Sequence, residues 1–490
     1  MTSINRRSFL KTTALALGAG VASRSVTSVW AQPAGANGDV RIGVIGLGRK
    51  GTAHLDELRK LTGVRVTALC DVDPRALAAV TGAWPGGAPA PFSTTDARRL
   101  LERPDVDAVL VVSPNHWHAL HTVWACEAGK DVYVEKPVSH SVWEGVQVVR
   151  AAARHGRVVQ AGTQMRSDIA MPQVIEYLRQ GHLGRILWVH SVCYKERTGI
   201  GRRRPWYPDW LDYDLFCGPA PVAPLVRDEL AYDWHWFWDT GNGDLANIGI
   251  HEFDVGRWVA GHTGAPRRII SLGGRFGFDD SGETPNTQAT FFDYPGLPIV
   301  LENRVLPAKP GVKYMDHVHG VRQGVVVHCE GGYFAGRYGG DCFDHTGRRL
   351  AHFAGDGGAN HLPNFIAAVR SRRTADLAAP IETGRVSTST CLYGNVSYRI
   401  GAPATLAEAR AALGDLVPAA PVLDSLAAHL TVHGVDLTRP SLALGPWLEV
   451  DAGLADVTAV EGRAAAALDE ARWLLKGAMR PPYVLAEQPA

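Results

Sequence analysis

A chain carrying Val40–Gly51, VRIGVIGLGRKG, has few folds open to it. The apolar, β-branched run of Val40, Ile42, Val44 and Ile45 reads as a strand. It ends in Gly46-Leu47-Gly48-Arg49-Lys50-Gly51, and a helical pattern follows (His54, Leu55, Leu58). This is G-x-G-x-x-G spacing between a strand and a helix. Gly46 permits the tight turn, Gly48 lets backbone approach a pyrophosphate, and Gly51 lets the helix pack close to its strand. Free N–H groups at the helix start attract phosphate, and Arg49 and Lys50 stand in the same turn. Val64–Asp71 reads as a second strand with an acidic last residue, 20 residues after Gly51. A dinucleotide fold places the carboxylate for the adenosine ribose there. Asp71 therefore points to NAD. Arg75, close by, keeps NADP open.

Strand and helix patterns alternate from there. Ser93–Leu101 reads as a helix and Val106–Val112 as a strand. The polar loop Ser113–His118 leads into a helix over Ala119–Ala128. Asp131–Val134 is a strand that runs into Glu135-Lys136-Pro137. Ser141 and Glu144 have capping-box spacing before a further helix, and Arg157–Ala161 is a strand ending near Gln164. Short connections between alternating elements predict a doubly wound parallel sheet, with ligands at the carboxyl ends of its strands. Residues 38–163 form this expected dinucleotide-binding domain. Its expected cofactor contacts are Gly46, Gly48, Arg49, Lys50, Gly51, Asp71, Ser113, Asn115, His118, Glu135, Lys136 and Gln164.

Residues 164–490 read as an α+β domain. Pro172–Arg179 and Leu245–Val259 have helical spacing, so Asn247 and His251 share one face. The strand-like runs Arg268–Gly273, Thr287–Tyr294, Ile299–Arg304 and Gly324–Glu330 have no helices between them and predict a largely antiparallel open sheet. Asn360–Arg372, Arg385–Leu392, Leu406–Leu413 and Ala464–Leu475 read as helices, and Val417–Val422 as a surface linker. Between Arg202 and Trp238 lies a loop-rich stretch with Trp206, Tyr207, Trp234 and Trp238. Flat apolar faces beside polar groups suit a saccharide; packing of the loop on the sheet is the structural alternative.

The first 31 residues read as a twin-arginine signal. Arg6-Arg7-Ser8-Phe9-Leu10 precedes a short, weakly apolar region, and Val29-Trp30-Ala31 supplies small residues for cleavage. Residues 1–31 would thus be removed after export of the folded protein to the periplasm, with no membrane association afterwards. The formal net charge of +1 gives no global field favouring nucleic acid. Seven scattered cysteines without C-x-x-C argue against a disulfide framework or a zinc site. Of His116, His118 and His121, only the last two share a helical face, and no acidic partner is near. No metal is expected.

GLGRKG at 46–51, Glu135-Lys136-Pro137 and Asp244–Asp254 together resemble the Gfo/Idh/MocA oxidoreductases, and the resemblance runs through nearly all of the mature chain. Asn115–His118, Trp234–Trp238 and Gly241–Gly243 are similar to an exported subgroup. The resemblance implies an NAD(P)-dependent oxidoreductase of saccharides or cyclic polyols, and a homo-oligomer built through the open sheet. It implies that Lys136 lies between nicotinamide and substrate and that His251 is the acid/base, with Asn247 where the family usually has Asp. Asn247 is expected to orient His251 through a hydrogen bond. The expected substrate contacts are Lys136, Trp206, Tyr207, Trp234, Trp238, Asn247 and His251. Two alternatives stand beside this reading. One is a glycosidase that oxidises a ring hydroxyl, eliminates the aglycone, adds water and reduces the ring again. The other is a non-catalytic sugar-binding protein on the same fold.

Overall fold

The computed structural model describes residues 38–85 and 89–489; the twin-arginine stretch lies outside them. The first unit runs β1 (Val40–Ile45), α1 (Arg49–Leu58), β2 (Val64–Cys70), α2 (Pro74–Gly82), β3 (Phe92–Thr94), α3 (Ala97–Leu101), β4 (Ala108–Val111), α4 (Asn115–Glu127), β5 (Asp131–Val134), α5 (Val142–Arg154) and β6 (Val159–Ala161). The expected helix over Ser93–Leu101 is instead β3 followed by α3, because Asp96 caps a new helix by accepting the Arg98 N–H. All six strands are parallel in the order β3-β2-β1-β4-β5-β6. Strand order reverses between β1 and β4, which opens a crevice at their carboxyl ends.

The second unit continues with α6 (Met171–Arg179), β7 (Ile186–Tyr194), α7 (Tyr213–Cys217), α8 (Gly243–Asn247), α9 (Gly249–Ala260), β8 (Arg268–Gly274), β9 (Thr287–Asp293), β10 (Ile299–Arg304), β11 (Gln323–Cys329), β12 (Gly332–Arg337), β13 (Gly339–Phe343) and β14 (Arg349–Ala354). Then come α10 (His361–Ser371), α11 (Ile381–Arg399), β15 (Ala402–Ala404), α12 (Leu406–Leu413), α13 (Ala419–Val432), β16 (Leu442–Leu444), β17 (Leu448–Val450), β18 (Val457–Val460) and α14 (Ala465–Lys476). The twelve-stranded sheet is antiparallel except where β7 pairs with β10. Val417–Val422 is not a linker: Pro418 is the N-cap of α13, and Val422 within that helix is buried against the sheet.

Strand alternation divides the second sheet's apolar residues between two cores. Val189, Ile269, Phe292 and Leu301 face α6, α9, α11 and α14. Trp188, Ile270, Phe291 and Val300 face α12 and α13. The two units are also stitched together by sequence-distant segments. Helix α10 puts Leu362, Phe365 and Ile366 into the core of the first unit, and the tail returns Tyr483 and Leu485 to it.

Candidate functional site

A cavity of about 450 Å³ lies between the carboxyl ends of the parallel strands and the second unit. Its floor is the glycine turn. Gly46 has φ +97, and a Cβ there would lie 2.5 Å from the Val112 carbonyl oxygen. A Cβ on Gly51 would lie 2.0 Å from the Gly46 carbonyl oxygen, so Gly51 serves packing and does not line the cavity. Nothing comes within 4 Å of a Cβ built on Gly48, which leaves that backbone open to a phosphate. Asp71 accepts the Leu47 N–H at 2.6 Å and the Asp73 N–H at 2.9 Å. Burial pushes its carboxyl up, and those two N–H groups oppose the shift. Arg75 is engaged elsewhere: it pairs with Asp73 at 2.8 Å and lies 4.1 Å over the Trp210 ring. A room-giving glycine, a helix N-terminus and a cavity-lining carboxylate just after β2 together fit NAD, and the guanidinium that would favour a 2′-phosphate is held by a neighbour.

Ser113, Asn115, His118, Glu135, Lys136 and Gln164 line the same cavity, with Arg49 and Lys50. Both ring nitrogens of His118 lie 2.6 Å from carbonyl oxygens, of Pro137 and Ser113, and burial lowers its pKa, so it braces two loops. Glu135 is buried beside His54 Nε2 at 2.8 Å and accepts from Gln164 at 2.9 Å. Against burial, Lys50 and His54 hold its carboxyl well below the usual range. His121 stacks on Trp117 and lies 3.1 Å from the Ser113 hydroxyl. Among the described residues no cluster of His, Cys, Asp and Glu is arranged to hold a metal, and all seven cysteines are buried and unpaired.

The facing wall comes from the second unit. The expected helix over Leu245–Val259 is two helices, α8 and α9, broken at Ile248. The break frees the Asn247 carbonyl. Lys136 at the end of β5 donates to that carbonyl at 2.6 Å and to Asn247 Oδ1 at 3.3 Å. Asn247 Nδ2 donates to Asp244 at 3.4 Å. The expected bond from Asn247 to His251 is therefore corrected: its amide serves Lys136 and Asp244, because the helix break turns it toward the first unit. Asp244 in turn pairs with Arg197 at 2.8 Å. His251 still lines the cavity with Lys136 and Asn247. Burial, then the Lys136 ammonium, push its imidazole well below the ordinary value, so it is neutral at pH 7. Burial lowers Lys136 to about 8, with Glu135 opposing.

Of the expected aromatic contacts, Trp234 lines the cavity, stacked on His235 at 3.6 Å. Trp206, Tyr207 and Trp238 do not. Trp206 exchanges backbone hydrogen bonds with Leu225 and donates its indole N–H to the Arg227 carbonyl. Tyr207 is 55% exposed against Tyr213, and Trp238 lies beside Arg399 and Tyr398. The loop folds on its own small core around Phe216, Leu225 and Leu230, which roofs the nucleotide end of the cavity. Lys195, Tyr232, His235 and Tyr338 are lining residues that the sequence reading missed. Lys195 had a signal: it directly follows strand β7, as Asp71 follows β2. Tyr338, between β12 and β13, had none.

Residues 40–163 match the model of an oxidoreductase family described by its NAD-binding Rossmann fold. An inositol 2-dehydrogenase from Saccharopolyspora erythraea is 39% identical over 155 residues, 31% of this chain and 44% of the relative. A glycosyl hydrolase family 109 protein from Shewanella pealeana is 28% identical over 235 residues, 42% of this chain and 51% of the relative. The chain thus spans about half the length of the curated relatives it matches. The WlbA dehydrogenase of Bordetella pertussis, solved with NADH and UDP-GlcNAcA, superposes with a TM-score of 0.53 at 18% identity. The superposition covers 73% of this chain and 96% of that one, a likeness of fold.

Proposed function

Since the chain belongs to the Gfo/Idh/MocA oxidoreductases through its NAD-binding domain, we propose that it oxidises a hydroxyl of a saccharide or cyclic polyol. One observation carries this reading: Lys136, pinned across the cleft on the Asn247 carbonyl, shares one cavity with the glycine turn and with a neutral His251. NAD, held by the Gly46–Gly51 turn and Asp71, supplies the hydride acceptor. His251 takes the hydroxyl proton; a depressed pKa keeps the imidazole neutral and able to do so. The Lys136 ammonium donates to the same oxygen and stabilises the charge that develops as the proton leaves. Asn247 holds that ammonium in place without neutralising it.

Incubation of the purified protein with NAD and a panel of polyols and glycosides tests this, with reduced nicotinamide and sugar products followed together. Accumulating NADH supports the oxidoreductase. Aglycone release without NADH would instead establish the redox-neutral glycosidase. Binding without either would leave a sugar-binding protein. The same reading places the protein in the periplasm. Replacing Arg6 and Arg7 by Lys should strand it in the cytoplasm, and undiminished export on fractionation would refute the signal. It also includes a homo-oligomer, with contacts falling to the β13–β14 strip because α12 and α13 cover much of that sheet face.

A further inference from the structure

The charges on the substrate side of the cleft do not balance. Asp244 is taken up by Arg197 at 2.8 Å, and the fully buried Glu252 lies 3.0 Å from Arg337. Glu135 is shared by His54 and Lys50. Arg49 and Lys50 stand in the glycine turn, where the cofactor's pyrophosphate meets the N-terminus of α1. Lys195 is on the opposite wall. It follows β7, is partly buried, and lines the cavity with Lys136, Asn247 and His251. Among the described residues its ammonium has no carboxylate partner and no hydrogen-bond acceptor. Its environment is unfavourable for a cation: burial first, then the nearby Arg197 and Arg49, lower its pKa, and the more distant charge of Asp244, already paired with Arg197, opposes them without reversing the shift. A cation held partly out of water without a carboxylate partner is well placed to meet an anion.

Resting on the proposed sugar oxidation, we propose that the substrate carries an anionic group, a carboxylate or a phosphate, and that Lys195 is the residue that selects it. Tyr232 supports the placement. Its hydroxyl accepts from Arg197 at 2.7 Å, and Arg49 and Arg197 each lie 5.8 Å from its ring, so a rigid cationic wall backs the site. An anionic sugar group on Lys195 would leave the ring hydroxyls to Lys136 and His251.

The test compares acidic sugars (uronates, aldonates and sugar phosphates) with their neutral parents in the full-length protein, Lys195→Met and Lys195→Arg. Uronates and aldonates against sugar phosphates identify which anion is taken. The expected result is a higher kcat/KM for one acidic class in the unaltered protein. Lys195→Met should raise KM for that class at least about tenfold with kcat little changed, since the contact is equal in ground and transition states. Lys195→Arg should restore most of it. NAD affinity, read by quenching of protein fluorescence, should not move. Neutral parents turned over as well as acidic sugars would overturn the inference and leave the proposed oxidation standing. A weakened NAD affinity in Lys195→Met, with sugar discrimination intact, would overturn it by assigning Lys195 to the cofactor. No nicotinamide reduction with any sugar would defeat the oxidation and the inference with it.

Discussion

Gly48 and Gly51 make a matched pair at the residue scale. Gly48→Ala meets no protein atom, so the fold should keep its thermal stability while NAD affinity falls, because the methyl group occupies the phosphate's approach. Gly51→Ala collides with the Gly46 carbonyl, so it should lower both stability and affinity. Thermal melts with and without NAD separate the two outcomes. Lys136 offers a second test. Its pKa of about 8 should give turnover an alkaline limb near that pH, where the ammonium is lost. Lys136→Arg does not titrate there, so its residual activity should lack that limb. In Asn247→Asp a carboxylate 3.3 Å from the ammonium should raise the Lys136 pKa and move the limb upward. The acid limb belongs to His251, lies below its usual 6.5, and should move far less, since Asn247 makes no bond to it. A pH–rate profile of each variant decides this.

Strand pairing carries a prediction at the scale of elements. Glu302 on β10 is fully buried. It pairs with Arg304 at 2.6 Å and lies 3.1 Å from His190 on β7, and the Tyr194 hydroxyl donates to it. Arg304 continues to Asp316 at 3.0 Å. Glu302→Ala leaves a buried guanidinium poorly compensated and should cost about 3–5 kcal/mol in urea unfolding. Burial raises the Glu302 carboxyl, but Arg304 and His190 prevail and hold it at about 2. A depressed folded pKa means that this stabilisation is complete above the ordinary carboxylate range and is lost as pH falls toward 2. Helix α11 shows what periodicity alone misses. The sequence predicts a helix only over Arg385–Leu392, whereas α11 runs from Ile381 to Arg399; beyond Leu392 the buried polar residues Asn395 and Ser397 interrupt the apolar stripe.

For the whole molecule, the two units depend on each other's segments. The tail after α14 pairs Arg480 with Asp214 of α7 at 2.7 Å and then crosses back to the first, where Tyr483 meets Trp117 edge-on and Gln488 bonds Gln147. Removing residues 478–490 exposes the sites that Tyr483 and Leu485 fill. Apolar burial of that size is worth about 3–5 kcal/mol. The truncated protein should melt several degrees lower. Its NAD affinity should fall as well, because Arg480 anchors α7 at the cavity's roof. An unchanged melting temperature would show the tail to be ornamental.

The parallel sheet, the glycine turn and Asp71 are legible from residues alone, because each depends on local signals: β-branched runs, glycine spacing and an acidic residue at a strand's end; Lys136 is singled out only by the family resemblance. Lys136 and His251 line one cavity, yet the hydrogen bond expected from Asn247 to His251 is not the one formed. The break at Ile248 turns Asn247 toward Lys136, and no periodicity in Leu245–Val259 announces it. Trp206, Tyr207 and Trp238 look like sugar platforms in sequence, but a loop's aromatics pack on whatever surface its closure makes available: the loop itself for Trp206 and Tyr207, and the end of α11 for Trp238. Lys195 is the converse case, an unremarked lysine in sequence. Its importance comes from distant carboxylates already paired with other cations, a balance of charge that exists only once the chain has closed around the cleft.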